Sequence, residues 1–483
     1  MSFHPALLGR RAFLSNTAAG VGLFALADLL RRDGLLAAEG PTKPGENPPA
    51  SLAPKKPHFA PKAKAMISLF MHGGPSHVDL FDPKPELTKH NGKEYRGDVH
   101  YSFVNRASKT LFGSPWKFAK HGRCGTEVSE LLPHTAGIVD DIAVVRSMHT
   151  GFNGHEVSIR YFHGGIAGVT GRPTMGSWIV YGLGSEAQNL PAYMVLSDPG
   201  GPPVDAAHNW NCGFLPPLYQ GTVLRPQEPR ILNLDPPPDA AGDVQRQNLD
   251  LLAALNRRHL ADRPGEADLE ARIASYELAA AMQTAAKEAL DVSREPERVR
   301  NMYGLDRPET REYGTRCLIA RRLVERGVRF VQLFLGSQPW DNHTGIRTGL
   351  PAICKRTDQP AAALVKDLKQ RGLLDSTIVH WGGEIGRLPV CEGELNANAG
   401  RDHNGQGFTC WLAGGGIRAG TTYGATDEVG HKAAENVVTP NDFQATLLHL
   451  LGLDHDKLVY HHGGRAQRLT DGRPARVVKE ILA

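Results

Sequence analysis

The sequence is short of net charge. Lys and Arg number 55 against 51 Asp and Glu, which leaves +4 over 483 residues at neutral pH. Arg10, Arg11, Arg31 and Arg32 against Asp28 and Asp33 hold +2 of that within the first 38 residues. The rest is close to neutral, so no bulk basic surface exists to hold nucleic acid. A long apolar run is missing too. The best, from Thr17 to Leu30, is interrupted by Asp28 and falls short of the ~20 apolar residues of a spanning helix. No stable membrane span is expected once an N-terminal signal is removed. The six cysteines (Cys124, Cys212, Cys317, Cys354, Cys391, Cys410) have no zinc-finger spacing. Disulfides are permitted in an exported chain, but no pairing can be read from the spacing. A phosphate-binding P-loop is also excluded, because Gly73-Gly74 is not followed by the required Lys-Ser/Thr.

What is present begins with an export signal. Arg10-Arg11-Ala12-Phe13-Leu14 is a twin-arginine start, the Thr17–Leu30 run follows, and Ala37-Ala38 makes a small-residue end. Residues 1–38 are therefore expected to be a signal peptide and the twin-arginine machinery a partner. The destination is the periplasm or cell surface, reached by a folded protein. Residues 39–62 carry Pro41, Pro44, Pro48, Pro49, Pro54, Pro57 and Pro61, a Pro-rich linker expected to be an extended tether. The folded domain then covers residues 63–483.

Inside that domain, apolar β-branched runs recur and each is broken by glycine or a polar turn. Ala65 to Met71 ends at His72-Gly73-Gly74-Pro75-Ser76-His77. Val328 to Leu335 leads to Gln338-Pro339-Trp340-Asp341-Asn342-His343, and Thr377 to Trp381 turns through Gly382-Gly383 onto Glu384. Further strands are expected at residues 142–146, 192–197 and 408–412. A helix from about Pro351 to Arg371 joins the second and third runs as a right-handed parallel crossover, so their ends share one sheet edge. The expected fold is α/β, a doubly wound, mostly parallel sheet flanked by helices. A helical insertion is expected over about 244–327, where Leu249, Leu252 and Leu255, then Leu269, Ile273, Tyr276 and Ala280, follow a helical stripe. Residues 199–240 have no clear period and are expected to form an irregular excursion that shapes a cleft.

Ligand-type residues collect at that sheet edge. His72, Asp341, His343 and Glu384 lie at strand ends, and Asp402-His403 closes the polar loop after Glu384. Taken singly, each histidine reads as a surface or hydrogen-bonded residue; their convergence is what points to a site. Mixed imidazole and carboxylate donors suit zinc, manganese or iron, whereas calcium prefers oxygen alone. His72, Asp341, His343, Glu384, Asp402 and His403 are thus candidate ligands for one or two divalent transition-metal ions. His155 opens a helix expected over residues 155–163. A helix N-terminus disfavours imidazolium, which is expected to keep His155 neutral.

Several stretches carry a resemblance. They are His72-Gly-Gly-Pro-Ser-His77, Gly171-Arg-Pro-Thr-Met-Gly-Ser-Trp178, Arg321-Arg-Leu-Val-Glu-Arg-Gly-Val-Arg-Phe-Val331, Trp340-Asp-Asn-His343, Trp381-Gly-Gly-Glu-Ile-Gly-Arg387 and Gly400-Arg-Asp-His403. From about Met66 to Ala483 the chain resembles twin-arginine-exported bacterial proteins abundant in planctomycetes, the family of the domain of unknown function fifteen-oh-one. These are sulfatase-like members of the alkaline phosphatase superfamily. The resemblance implies a doubly wound sheet with metals at strand ends and hydrolysis of a small-molecule or glycan phosphate or sulfate ester. Departures from sulfatases are clear: His72-Gly73 and Glu384-Ile385 replace their Asp-Asp and Asp-His, and no cysteine lies in a formylglycine motif. The nucleophile position falls on His155. The alternative is a non-catalytic exported binding or scaffolding protein that keeps the fold with a structural or vestigial metal site.

Overall fold

Unbroken apolar runs become strands here because helices cover both faces of the sheet they build. The computed structural model describes residues 47–102, 106–187, 189–237, 242–263 and 266–483. The main strands are β1 (Ala65–Phe70), β2 (Ile142–Met148), β3 (Tyr193–Leu196), β4 (Thr222–Leu224), β5 (Phe330–Phe334), β6 (Thr377–Gly382), β7 (Phe408–Ala413) and β8 (Thr421–Tyr423). They form one sheet in the order β8-β2-β7-β6-β1-β5-β3-β4. β1 lies between β5 and β6, parallel to both, with Met66 opposite Phe330 and Ile378. β7 alone runs antiparallel, against β6 and β2.

The principal helices are α1 (His155–Gly164), α2 (Met175–Leu183), α3 (Asp243–Ala261), α4 (Ala267–Leu290), α5 (Pro308–Glu325), α6 (Ile346–Gln370) and α7 (Pro440–Leu450). Successive strand residues point to opposite faces, and the sheet feeds two cores accordingly. Ile67, Leu69, Val331, Leu333 and Val379 pack with Leu318, Leu323, Leu364 and Leu368 of α5 and α6. Met66, Phe70, Phe330, Phe334 and Ile378 pack with Phe162, Trp178, Ile179, Phe443 and Leu447 of α1, α2 and α7. Helices on both faces of a mostly parallel sheet make the fold doubly wound, as expected.

Several details differ from the sequence reading. α6 starts at Ile346, before Pro351, and accommodates both Pro351 and Pro360. Within the stretch read as an insertion, α5 belongs to the sheet layer and leads directly into β5. The excursion over residues 199–240 supplies the edge strand β4, too short to register as a run. Among the described residues no disulfide joins the six cysteines, and only Cys124 is exposed.

The chain divides into two compact units. One comprises residues 50–460 and 467–483 and holds the sheet, the helices and every candidate site residue. In it the Pro-rich stretch from Ala50 to Lys62 has no helix or strand and lies along the domain. Lys55 N–H donates to the Leu183 carbonyl, His58 N–H to Gly452 and Lys62 N–H to Leu450. The other unit, residues 1–49 with 461–466, is described only from Asn47, whose side chain bonds the backbone of His461. The signal peptide read at residues 1–38 lies outside the described residues.

Candidate metal centre

Asp341 is the hub, just beyond the carboxyl end of β5. Arg387 Nη2 donates to its Oδ1 at 2.5 Å. The same fully buried guanidinium donates to the carbonyls of Gly73, Gly74 and Arg401, so one side chain ties three loops to one carboxylate. Gly73 makes the approach possible: its φ is +109°, and a Cβ there would lie 2.8 Å from Asp341 N.

Three imidazoles face this carboxylate. His343 Nε2 lies 2.9 Å and His403 Nε2 3.2 Å from Oδ1, and His155 Nε2 lies 3.5 Å from Oδ2. His343 Nε2 and His403 Nε2 are 2.9 Å apart. The other nitrogen of each ring is held. His155 Nδ1 meets Glu384 Oε1 at 2.6 Å, His343 Nδ1 the Glu392 carboxylate, and His403 Nδ1 the Ser102 hydroxyl at 3.0 Å. A ring whose Nδ1 is directed to an oxygen presents its Nε2 lone pair on the far side. Converging lone pairs and a carboxylate repel unless protons or a cation lie between them.

A divalent ion fits this set. Donors at about 2.0–2.2 Å from a tetrahedral ion stand roughly 3.3–3.6 Å from one another. The separations measured here, 2.9 to 3.5 Å between these nitrogens and the Asp341 oxygens or between His343 and His403, lie near that value. Imidazole nitrogens with a carboxylate suit zinc, manganese or iron. His155 Nε2 is moreover buried with no hydrogen-bond partner.

The remaining expected ligands stand around this cluster. Asp402 fastens its own loop, its Oδ1 accepting from His403 N–H and its Oδ2 from Ser102 N–H, both at 2.7 Å. Its Oδ1 also lies 3.8 Å from His343 Nδ1. His155, Asp341 and His403 form one donor group and His343, Asp402 and His403 another, each within 4.8 Å. Glu384 and His72 lie outside both groups. Glu384 is fully buried, with Gly73 N–H donating to Oε1 at 3.0 Å beside His155. His72, also buried, accepts from Val204 N–H at 3.3 Å, its ring 6.2 Å from that of His155.

Charges are strongly coupled here. Burial alone would lower the His155 pKa, but the Asp341 and Glu384 carboxylates beside its two ring nitrogens outweigh it and raise the value to about 9. This reverses the expectation that the helix N-terminus keeps His155 neutral; two carboxylates at contact distance dominate a terminal dipole. Asp341 is held far below the usual carboxylate range despite burial, because three histidine rings lie against it and Arg387 is adjacent. His343 is raised against burial by Asp341. Burial drives His403 down to about 4, opposed by Asp341 and aided by Arg387. Burial also lowers His72, while Glu384 is lowered against burial by His155.

Behind the site a buried chain of polar groups runs from sheet to loop. Tyr193 OH donates to Gln332 Oε1, Gln332 Nε2 donates to His163 Nε2 at 3.1 Å, and His163 Nδ1 donates to Asn209 Oδ1 at 3.0 Å. Asn209 Nδ2 donates to the Val204 and Ala206 carbonyls, fixing the loop whose Val204 N–H meets His72. The sequence reading missed Ser102, Glu392 and the role of Arg387. Arg387 lay within a motif already singled out; Ser102 and Glu392 sit in aperiodic loops that gave no signal.

The family model described as Protein of unknown function (DUF1501) matches residues 63–482. The chain belongs to that family. No curated protein matches it in sequence. Among solved structures it is similar to a phosphonate monoester hydrolase from Silicibacter pomeroyi, with 10% identity over 73% of this chain and 71% of that one and a TM-score of 0.33. Alkaline phosphatase from the Antarctic bacterium TAB5 gives 10% identity over 77% and 97%, TM-score 0.28. A sulfatase from Pseudoalteromonas sp. gives 12% over 67% and 62%, TM-score 0.31. Likeness this distant carries no residue's role across.

Proposed function

We propose that this chain is an exported, metal-dependent hydrolase of phosphate or sulfate esters that works without formylglycine. The observation that carries the reading is the convergence of three imidazole Nε2 atoms on Asp341, each ring held from behind at Nδ1. His155, Asp341, His343 and His403 would hold the ion, with His72 the imidazole left for a second one. A bound divalent ion supplies polarisation of an ester oxygen and acidification of a water.

The chain's own residues do the rest. Glu384 keeps a proton on His155 Nδ1, Glu392 and Ser102 orient His343 and His403, and Arg387 fixes Asp341. His155 serves as ligand in preference to nucleophile: Glu384 takes one nitrogen, the other faces Asp341, and a pKa of about 9 leaves it protonated without an ion. Imidazolium has no lone pair with which to attack. The substrate class is a small-molecule or glycan ester, and Arg10-Arg11 directs the protein through the twin-arginine machinery to the periplasm or cell surface. Among the described residues, no helix is long and apolar enough to cross a membrane.

One observation favours the non-catalytic reading. Every histidine around Asp341 already has protein partners near both nitrogens, as a vestigial site would. Metal analysis of the purified protein with a screen of chromogenic phosphate and sulfate esters separates the two. Turnover lost in Asp341→Ala supports the hydrolase; tightly bound metal without turnover of either ester class supports the scaffold.

A further inference from the structure

Helix α3 has apolar residues on two opposite faces, and among the described residues only one of them meets the rest of the chain. None of its residues is buried. It touches α4 through Gln245, which donates to Gln283 at 2.6 Å, and Ala253, Asn256 and Leu260 are half-buried. At about 100° per residue these four share one side of the helix. Val244, Leu251 and Leu255, 49%, 61% and 56% exposed, share the other, with Ala254 and Arg258 beside them. Five of the twelve large apolar side chains exposed among the described residues lie on α3. On this outer face Leu251, Leu255 and Val244 form an exposed apolar stripe flanked by exposed Gln247 and Asn248.

The charges say what covers it. Leu251 and Leu255 are equidistant from Ala253, and Asp250 and Arg257 from the Ala253–Ala254 bond. Asp250 and Arg257 are seven residues apart and therefore flank the apolar stripe on the same side. When two copies of such a helix meet antiparallel across a two-fold axis at Ala253–Ala254, Leu251 of each opposes Leu255 of the other. Asp250 of each then opposes Arg257 of the other, twice over, and the small Ala254 side chains sit on the axis. The helix dipoles oppose as well.

We infer that the outer face of α3 is a self-association surface, which pairs two copies of this chain antiparallel through Leu251, Ala254 and Leu255. The interface is isologous, as a two-fold contact must be.

The test uses the mature full-length protein and sedimentation velocity across a concentration series. Wild type should be a dimer, and Leu251→Glu with Leu255→Glu should weaken the dimer at least ~100-fold. Should that variant fail to fold, Arg257→Glu should weaken dimerisation and added Asp250→Arg restore it. In a Cys124→Ser background, Ala254→Cys should cross-link to a dimer under mild oxidation and Val244→Cys should not. The inference is overturned by a wild type that stays monomeric up to roughly 100 µM. It is equally overturned by a dimer indifferent to these changes, by equal cross-linking at both positions, or by a monomer that sediments with anionic lipid vesicles.

Discussion

Replacing Arg401 with methionine tests what fastens the ligand loop. Arg401 and Asp79 have no exposed side-chain surface. Nε and Nη2 grip Asp79 Oδ2 and Oδ1 at 2.8 and 3.1 Å, and the guanidinium also donates to the carbonyls of Leu388 and Phe112. Methionine keeps a stem against the Phe112 ring, over which the guanidinium sits at 4.4 Å. It leaves the Asp79 charge with the Ser76 hydroxyl as its side-chain partner. An uncompensated buried charge costs about 3–5 kcal/mol, whereas removing both partners costs much less. Arg401→Met should therefore lower stability by that amount, and Asp79→Asn with Arg401→Met should recover at least ~1 kcal/mol of it. Urea unfolding followed by tryptophan fluorescence reads both, because Trp340, Trp381 and Trp411 lie in the core beneath the site. A single variant that loses less than about 1 kcal/mol, or a double variant no better than the single, would refute the reasoning.

Acid should destabilise the fold through His163, whose pKa burial lowers to about 4, and His380, lowered the same way to about 3. Both are neutral when folded. Their contribution is intact above the unfolded value near 6.5 and is lost as pH falls from there towards 4, by about 3 kcal/mol for His163; His163→Gln should flatten that slope, and an unchanged slope would remove His163 from the cause. A thiol reagent should modify one cysteine, Cys124, in the native protein and all six after unfolding. His155→Ala should lose metal and form no phosphorylated enzyme on rapid quenching; a trapped phosphohistidine in wild type, absent from a variant with full metal, would make His155 the nucleophile instead.

Much of this site was legible in sequence because glycine follows each apolar run. Gly73-Gly74 and Gly382-Gly383 end β1 and β6, so the positions of His72 and Glu384 at one sheet edge follow from local chemistry. Asp341 and His343 followed from a third strand end, and β6 and β7 were visible as runs. Their antiparallel pairing was not, because strand direction depends on connections and not on the strand's own residues. Nor could the sequence separate atoms that face an ion from atoms that hold the facing side chain. Glu384 and Asp402 read as ligands; in the structure Glu384 also holds His155, and Asp402, within 4.8 Å of His343 and His403, also accepts from the backbone of Ser102 and His403. Glu392 holds His343 from an irregular loop where no periodicity exists to mark it.

The central claim is that Asp341 and its three imidazoles bind an ion. Elemental analysis of protein purified without added metal, beside Asp341→Ala and Glu384→Ala, tests it most directly. Wild type should carry about one divalent transition-metal ion per chain or more, and Asp341→Ala almost none. Glu384→Ala, which acts through His155, should bind about 10–100-fold more weakly. Equal metal in all three proteins, or none in wild type even after equilibration with zinc, manganese and iron, would contradict the account.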